Sequence, residues 1–283
     1  MGQQIEELAR FVGETRLADI PEAVRQHARL TLLDTLGVIL AGSARPEVQG
    51  LRERLAAPGA GNATIYAAGW PLHDARTAAL LNGIAGRAIE LCEGLRFVSG
   101  QAAMQVLPAA LAELPQPQPR AEDIDRIDIA TYRFASVMCN PDPPNYFASK
   151  YSLPHAAATM VVRGGAGFAN LDDSALADPA IAALRHRVYI EENPAMTALT
   201  PRLRPARVTI TLQDGRRASH ALESHRGDFN DPFEEAELRA KFRELASTVL
   251  STDGAAAAEA AVDCIEDWRD AGELPALLRR HGK

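Results

Sequence analysis

The chain has 283 residues, 47% of them hydrophobic and 24% charged, with a formal net charge of −7. That length and balance support a sizeable core in one large domain or two smaller ones, and the lack of any long basic run argues against a nucleic-acid partner. Cys92, Cys139 and Cys264 are few, odd in number and without CxxC spacing, so neither a disulfide framework nor a zinc site is expected.

The chain opens Met1-Gly2-Gln3-Gln4-Ile5-Glu6, without the basic and apolar regions of a secretory signal. Its most apolar run, residues 30–42, contains Asp34 and is too short to cross a bilayer. The expectation is a cytoplasmic protein that makes no membrane contact. Ile5, Leu8, Ala9 and Val12 recur at helical spacing. Asp19 before Ile20-Pro21-Glu22 reads as the N-cap of a second helix, which runs through Leu32, Leu33 and Leu36 toward Gly42. Asp74 is placed to cap a long helix over residues 75–93, and Asn82-Gly83 inside it suggests close packing at the glycine. A further helix is expected over 102–113. Three prolines at alternate positions, Pro115, Pro117 and Pro119, then stop helical continuation and mark a linker.

Beyond the linker the pattern changes. Residues 124–134 alternate as a strand does, residues 152–163 read as a helix, Gly164 to Gly167 as a turn, and residues 186–192 as a strand. Residues 206–212 and 217–223 flank Gln213-Asp214-Gly215-Arg216, and an Asp-Gly pair between alternating runs signals a β-hairpin. His220 and His225, on or beside its second strand, read as surface residues. Helices return over 234–250, 255–269 and 273–280. The layout is a helical domain (1–114 and 232–283) interrupted by a small α+β domain (120–231).

Six segments, in order along the chain, resemble the MmgE/PrpD family. They are Leu32-Leu33-Asp34-Thr35-Leu36-Gly37-Val38, Ala79-Leu80-Leu81-Asn82-Gly83-Ile84-Ala85, Val106-Leu107-Pro108-Ala109-Ala110-Leu111-Ala112, Lys150-Tyr151-Ser152-Leu153-Pro154-His155-Ala156-Ala157, Leu212-Gln213-Asp214-Gly215 and Lys241-Phe242. The resemblance implies a mainly α fold with an α+β lid, a homodimer, and lyase or isomerase chemistry on a small polycarboxylate such as 2-methylcitrate or cis-aconitate. It also implies that no cofactor and no metal are needed. The sequence departs from the family pattern in three places. The middle of the helical domain is missing at the proline junction. The family's His-Ala-x-Asp-x-Asp-Asp reads Arg87-Ala88-Ile89-Glu90-Leu91-Cys92-Glu93, and the His-Pro that follows it reads Gln101-Ala102.

Eliminating water or carbon dioxide from a polycarboxylate requires cations to hold carboxylates, a base for a carbon-bound proton and an acid for the leaving group. The catalytic candidates are His155, Glu90 and Glu93; the substrate-binding candidates are Arg87, Arg96, Gln101, Lys150 and Ser152. Each has a plainer alternative. Glu90 and Glu93, three apart on one helix face, fit exposed helix carboxylates as well as site groups. Arg87 and Arg96 fit either a carboxylate clamp or ion pairs with those glutamates. Ser152 fits a helix cap better than a ligand, and His155 fits a helix-start histidine bound to backbone. Gln101 offers a hydrogen bond but exchanges no proton near neutral pH. Two readings of function therefore stand together: a polycarboxylate lyase or isomerase, and a degenerate, non-catalytic relative that serves as a structural, partner-binding or organic-acid-binding protein.

Overall fold

In the computed structural model, which describes residues 2–55, 61–91, 120–165, 167–270 and 272–283, the chain is mainly α with a small α+β part. Helix α1 (Gly2–Glu14) has the expected amphipathic spacing, but Ile5, Leu8, Phe11 and Val12 on its apolar stripe are all more than 60% exposed. Helix α2 (Glu22–Ser43) begins one residue after Pro21, whose fixed φ of −56° suits a helix start. Asp19 does not cap it. Asp19 ends a short 3₁₀ turn, and its carboxylate accepts the Arg16 N–H instead, so the acceptor is spent backward along the chain. After α3 (Pro46–Leu55), a two-stranded ribbon pairs β1 (Ala63–Thr64) with β2 (Leu72–His73).

Helix α4 (Ala75–Ala88) is capped by Asp74 as expected: Oδ1 accepts the Arg76 and Thr77 N–H groups, and Oδ2 lies 2.7 Å from His73 Nδ1. Those bonds hold the Asp74 carboxyl down at a pKa of about 2, with the backbone bond to Thr77 the largest cause. The helix stops at Ala88 and Glu90 turns the chain at φ +52°. Close packing at Gly83 is not found: the residue is exposed, and a Cβ there would meet no described atom. Its neighbour Asn82 carries the contact, accepting the Tyr66 N–H and donating to the Thr64 carbonyl, which ties α4 to the ribbon.

The α+β part opens with β3 (Ile124–Thr131), followed by the short helices α5 (Arg133–Ser136) and α6 (Tyr146–Ser149) and then α7 (Leu153–Arg163), α8 (Asp173–Ala177) and α9 (Pro179–Arg185). Next come β4 (Val188–Glu192), α10 (Pro194–Thr197), β5 (Ala206–Leu212) and β6 (Arg217–Leu222). The strand order is β4-β3-β5-β6, with β3 and β4 parallel and the other pairs antiparallel. Gly215 closes the hairpin at φ +84°, the left-handed value the Asp-Gly signal calls for. One face of the sheet presents Ile127, Ile129, Val208 and Ile210 to Leu153, Ala157, Ile181 and Leu184 of α7 and α9. The other presents Arg126, Asp128, Thr209 and Ser219. This one-sided burial is why the strands alternate in sequence.

Three helices complete the chain: α11 (Glu235–Ala246), α12 (Thr252–Asp263) and α13 (Glu273–His281). The described residues form two compact units, Met1–Gly86 with Glu235–Lys283, and Arg87–Glu234. In the first unit α11 packs along α2. Lys241 Nζ lies 2.7 Å from Asp34 Oδ1, and a Cβ on Gly37 would sit 3.1 Å from the fully buried Phe242 ring. Gly42 meets α4 more closely still, since a Cβ there would fall 1.9 Å from the Ala85 carbonyl oxygen. Glycine is the residue that permits such an approach.

Candidate functional site

The site is built on the entry to α7. Ser152 is its N-cap: Oγ accepts the His155 N–H at 3.0 Å and donates to the Asn140 carbonyl at 2.6 Å. Ser152 is therefore a structural clasp that fixes where His155 leaves the backbone. Pro154 in the first turn needs no hydrogen bond there, and the small residues Ala157 and Ala158 let the helix lie close against the sheet.

The His155 side chain is 1% exposed, and neither ring nitrogen has a hydrogen-bond partner among the described residues. Burial, and then the charges of Arg185, Lys150 and Arg163, lower its pKa from 6.5 to about 4. At neutral pH it is an uncharged imidazole holding one unused donor and one unused acceptor. Two of the three cations are already held. Lys150 Nζ donates to the Leu171 carbonyl at 3.1 Å and stands 4.3 Å from the Tyr146 ring centroid. Arg163 pairs with Asp172 Oδ1 at 2.8 Å and also reaches Asn170 and Ser174. Arg185, at the end of α9, is 6% exposed; among the described residues its guanidinium makes no hydrogen bond or ion pair.

Arg87 and Glu90 form an ion pair at 2.9 Å where the chain leaves α4. Glu93, Arg96 and Gln101 lie outside the described residues, as does the expected helix over 102–113. Of the eight candidates from sequence, Lys150, Ser152 and His155 are gathered at the α7 entry. Arg185 was not among the eight, although Ile181, Leu184 and Arg185 fall at helical spacing on the face that packs inward. A charged residue in a buried-face register was the signal that could have found it. No group of three or more His, Cys, Asp or Glu suited to a metal ion occurs among the described residues.

Residues 6–116 match the family model for the MmgE/PrpD N-terminal domain, and residues 97–267 match that for the MmgE/PrpD C-terminal domain. The chain belongs to the MmgE/PrpD family. Over 139 residues, 49% of the chain, it is 24% identical to the cis-aconitate decarboxylase of Homo sapiens, of which the match covers 29%. The cis-aconitate decarboxylase of Mus musculus matches at the same identity, with 28% of its length covered. The match thus spans less than a third of either relative. Within this MmgE/PrpD chain two of the resembling segments acquire a physical reason: Leu32–Val38 and Lys241-Phe242 are the two sides of the α2–α11 contact, joined by Asp34–Lys241 and by Gly37 against Phe242.

Proposed function

We propose that this MmgE/PrpD protein binds a small polycarboxylate such as 2-methylcitrate or cis-aconitate and acts on it as a cofactor-independent lyase or isomerase. The observation that supports this reading most is the buried, uncharged His155 with both ring nitrogens unpartnered among the described residues. A substrate carboxylate beside Lys150 supplies the missing partner. Its charge offsets the local positive field, so the imidazole pKa rises on binding and His155 becomes an acid for the leaving group. In this reading Glu90 and Glu93 provide the base, and Arg87, Arg96, Gln101 and Lys150 hold carboxylates. Ser152 sets the position of His155.

The protein is proposed to act in the cytoplasm as a homodimer. No helix among the described residues is long and apolar enough to cross a membrane. The stripe of Ile5, Leu8, Phe11 and Val12 is the surface that a second copy covers. A second reading, an organic-acid-binding relative without turnover, is favoured by Gln101 in place of histidine and by a His155 that titrates near 4 rather than near 7.

Thermal melts of the full chain with 2-methylcitrate, citrate and cis-aconitate, run beside His155→Ala and followed by turnover assays, separate these readings. Selective stabilisation that the variant loses, with turnover, supports the enzyme. Stabilisation without turnover selects the binding protein. A cooperative melt that no acid shifts overturns both.

A further inference from the structure

We infer that Arg185 is the residue that binds a carboxylate of the ligand at the His155 site, making a second negative charge on that ligand a requirement for tight binding. The inference rests on the polycarboxylate reading above and names a residue that neither the sequence motifs nor the comparisons point to.

A guanidinium is charged at every accessible pH, and burying one without an anion is costly. Two other arginines of this unit have partners. Arg163 is held by Asp172, Asn170 and Ser174, and Arg187 donates to the Ile124 carbonyl at 2.7 Å. Arg185 is 94% buried, with no carboxylate or carbonyl acceptor among the described residues, and its Nε is enclosed and unpartnered. The C-terminal end of α9 offers it partial negative charge, but no hydrogen bond to those carbonyls is formed. Arg204 is buried in the same unpaired way, but it stands beside Tyr132 rather than His155.

The position of Arg185 gives its charge a use. Helix α9 packs against α7, and Arg185 acts on the His155 ring more strongly than Lys150 or Arg163 does. Arg185 offers a planar fork of N–H donors, and His155 a neutral imidazole with one donor and one acceptor. A carboxylate satisfies both: its oxygens accept from the guanidinium, and the same group or a hydroxyl beside it meets the ring. Lys150 adds a point charge and suits a second carboxylate. A monocarboxylate leaves one of these cations without an anion, so the proposed site favours di- and tricarboxylates.

The test compares the full chain with Arg185→Met and Arg185→Lys, using isothermal titration with citrate, tricarballylate and acetate and thermal melts without ligand. If Arg185 serves the ligand, Arg185→Met removes a buried charge that no group among the described residues offsets. Its apo melting temperature then equals or exceeds that of the parent, while citrate and tricarballylate affinity falls about 10- to 100-fold. Arg185→Lys recovers part of that loss, and acetate binds all three chains equally poorly. An Arg185→Met chain that melts lower or fails to fold, or that binds citrate as the parent does, assigns Arg185 to the structure and overturns the inference alone. A parent chain that binds no polycarboxylate overturns the inference together with the function it rests on.

Discussion

His155 makes the protein's stability sensitive to acid in a way that can be isolated. Its pKa is about 4 when folded and 6.5 in an ordinary environment, so the unfolded chain takes up the proton first as pH falls. The stability contributed by keeping the ring neutral is complete above pH 6.5 and is lost as pH drops toward 4, with about 3 kcal/mol at stake. Urea unfolding at pH 7.5 and 4.5 should show a larger loss for the parent than for His155→Gln, whose amide does not titrate; equal losses would contradict the assignment. Ser152 poses a different question. Its hydroxyl both caps α7 and closes on the Asn140 carbonyl, so Ser152→Ala should cost about 1–2 kcal/mol in denaturant unfolding. It should also weaken polycarboxylate binding, through a displaced His155 rather than a lost ligand contact.

Helices and strands carry the next set of consequences. Gly83 lies exposed inside α4 with room for a side chain, so Gly83→Ala should raise stability by about 0.5–1 kcal/mol, read as a higher urea midpoint. Phe242 of α11 is fully buried against Gly37 of α2, and Phe242→Ala should cost about 3–5 kcal/mol by leaving a cavity that Gly37 cannot fill. The legible features of this fold were those with local causes. The hairpin followed from Asp214-Gly215, the start of α7 from Ser152, and the start of α4 from Asp74, because each depends on backbone groups within a few residues. Asp19 and Gly83 depart from the local pattern because two local solutions are open and only the packed chain chooses between them: the Asp19 carboxylate accepts the Arg16 N–H, and Asn82 rather than Gly83 makes the contact to the ribbon. Arg185 is not legible from local sequence because an unpaired charge is a property of what surrounds it, and that surrounding includes α7, two elements earlier in the chain.

For the whole molecule, the stripe on α1 is the feature with the clearest reach. Four large apolar side chains on one helix face, all more than 60% exposed, are the basis of the proposed homodimer. Sedimentation at micromolar concentration should give a dimer for the parent chain and a monomer for a Leu8→Glu, Phe11→Glu double variant; a parent that sediments as a monomer would remove the basis for the dimer. The pairing of Asp34 with Lys241 reaches further, into how the protein is made. These residues touch across roughly 200 positions of sequence, and the α+β unit lies entirely between them. At ordinary elongation rates the face of α2 bearing Leu33, Leu36 and Leu40 emerges from the ribosome some 10–40 s before α11 exists to cover it. The contiguous unit can complete its sheet meanwhile, as soon as β6 is out. Folding during translation should therefore run from the middle of the chain outward, with an arrest-peptide force signal after β6 and a second after α11. A chain cut before α11 should depend on chaperones that shield apolar helices.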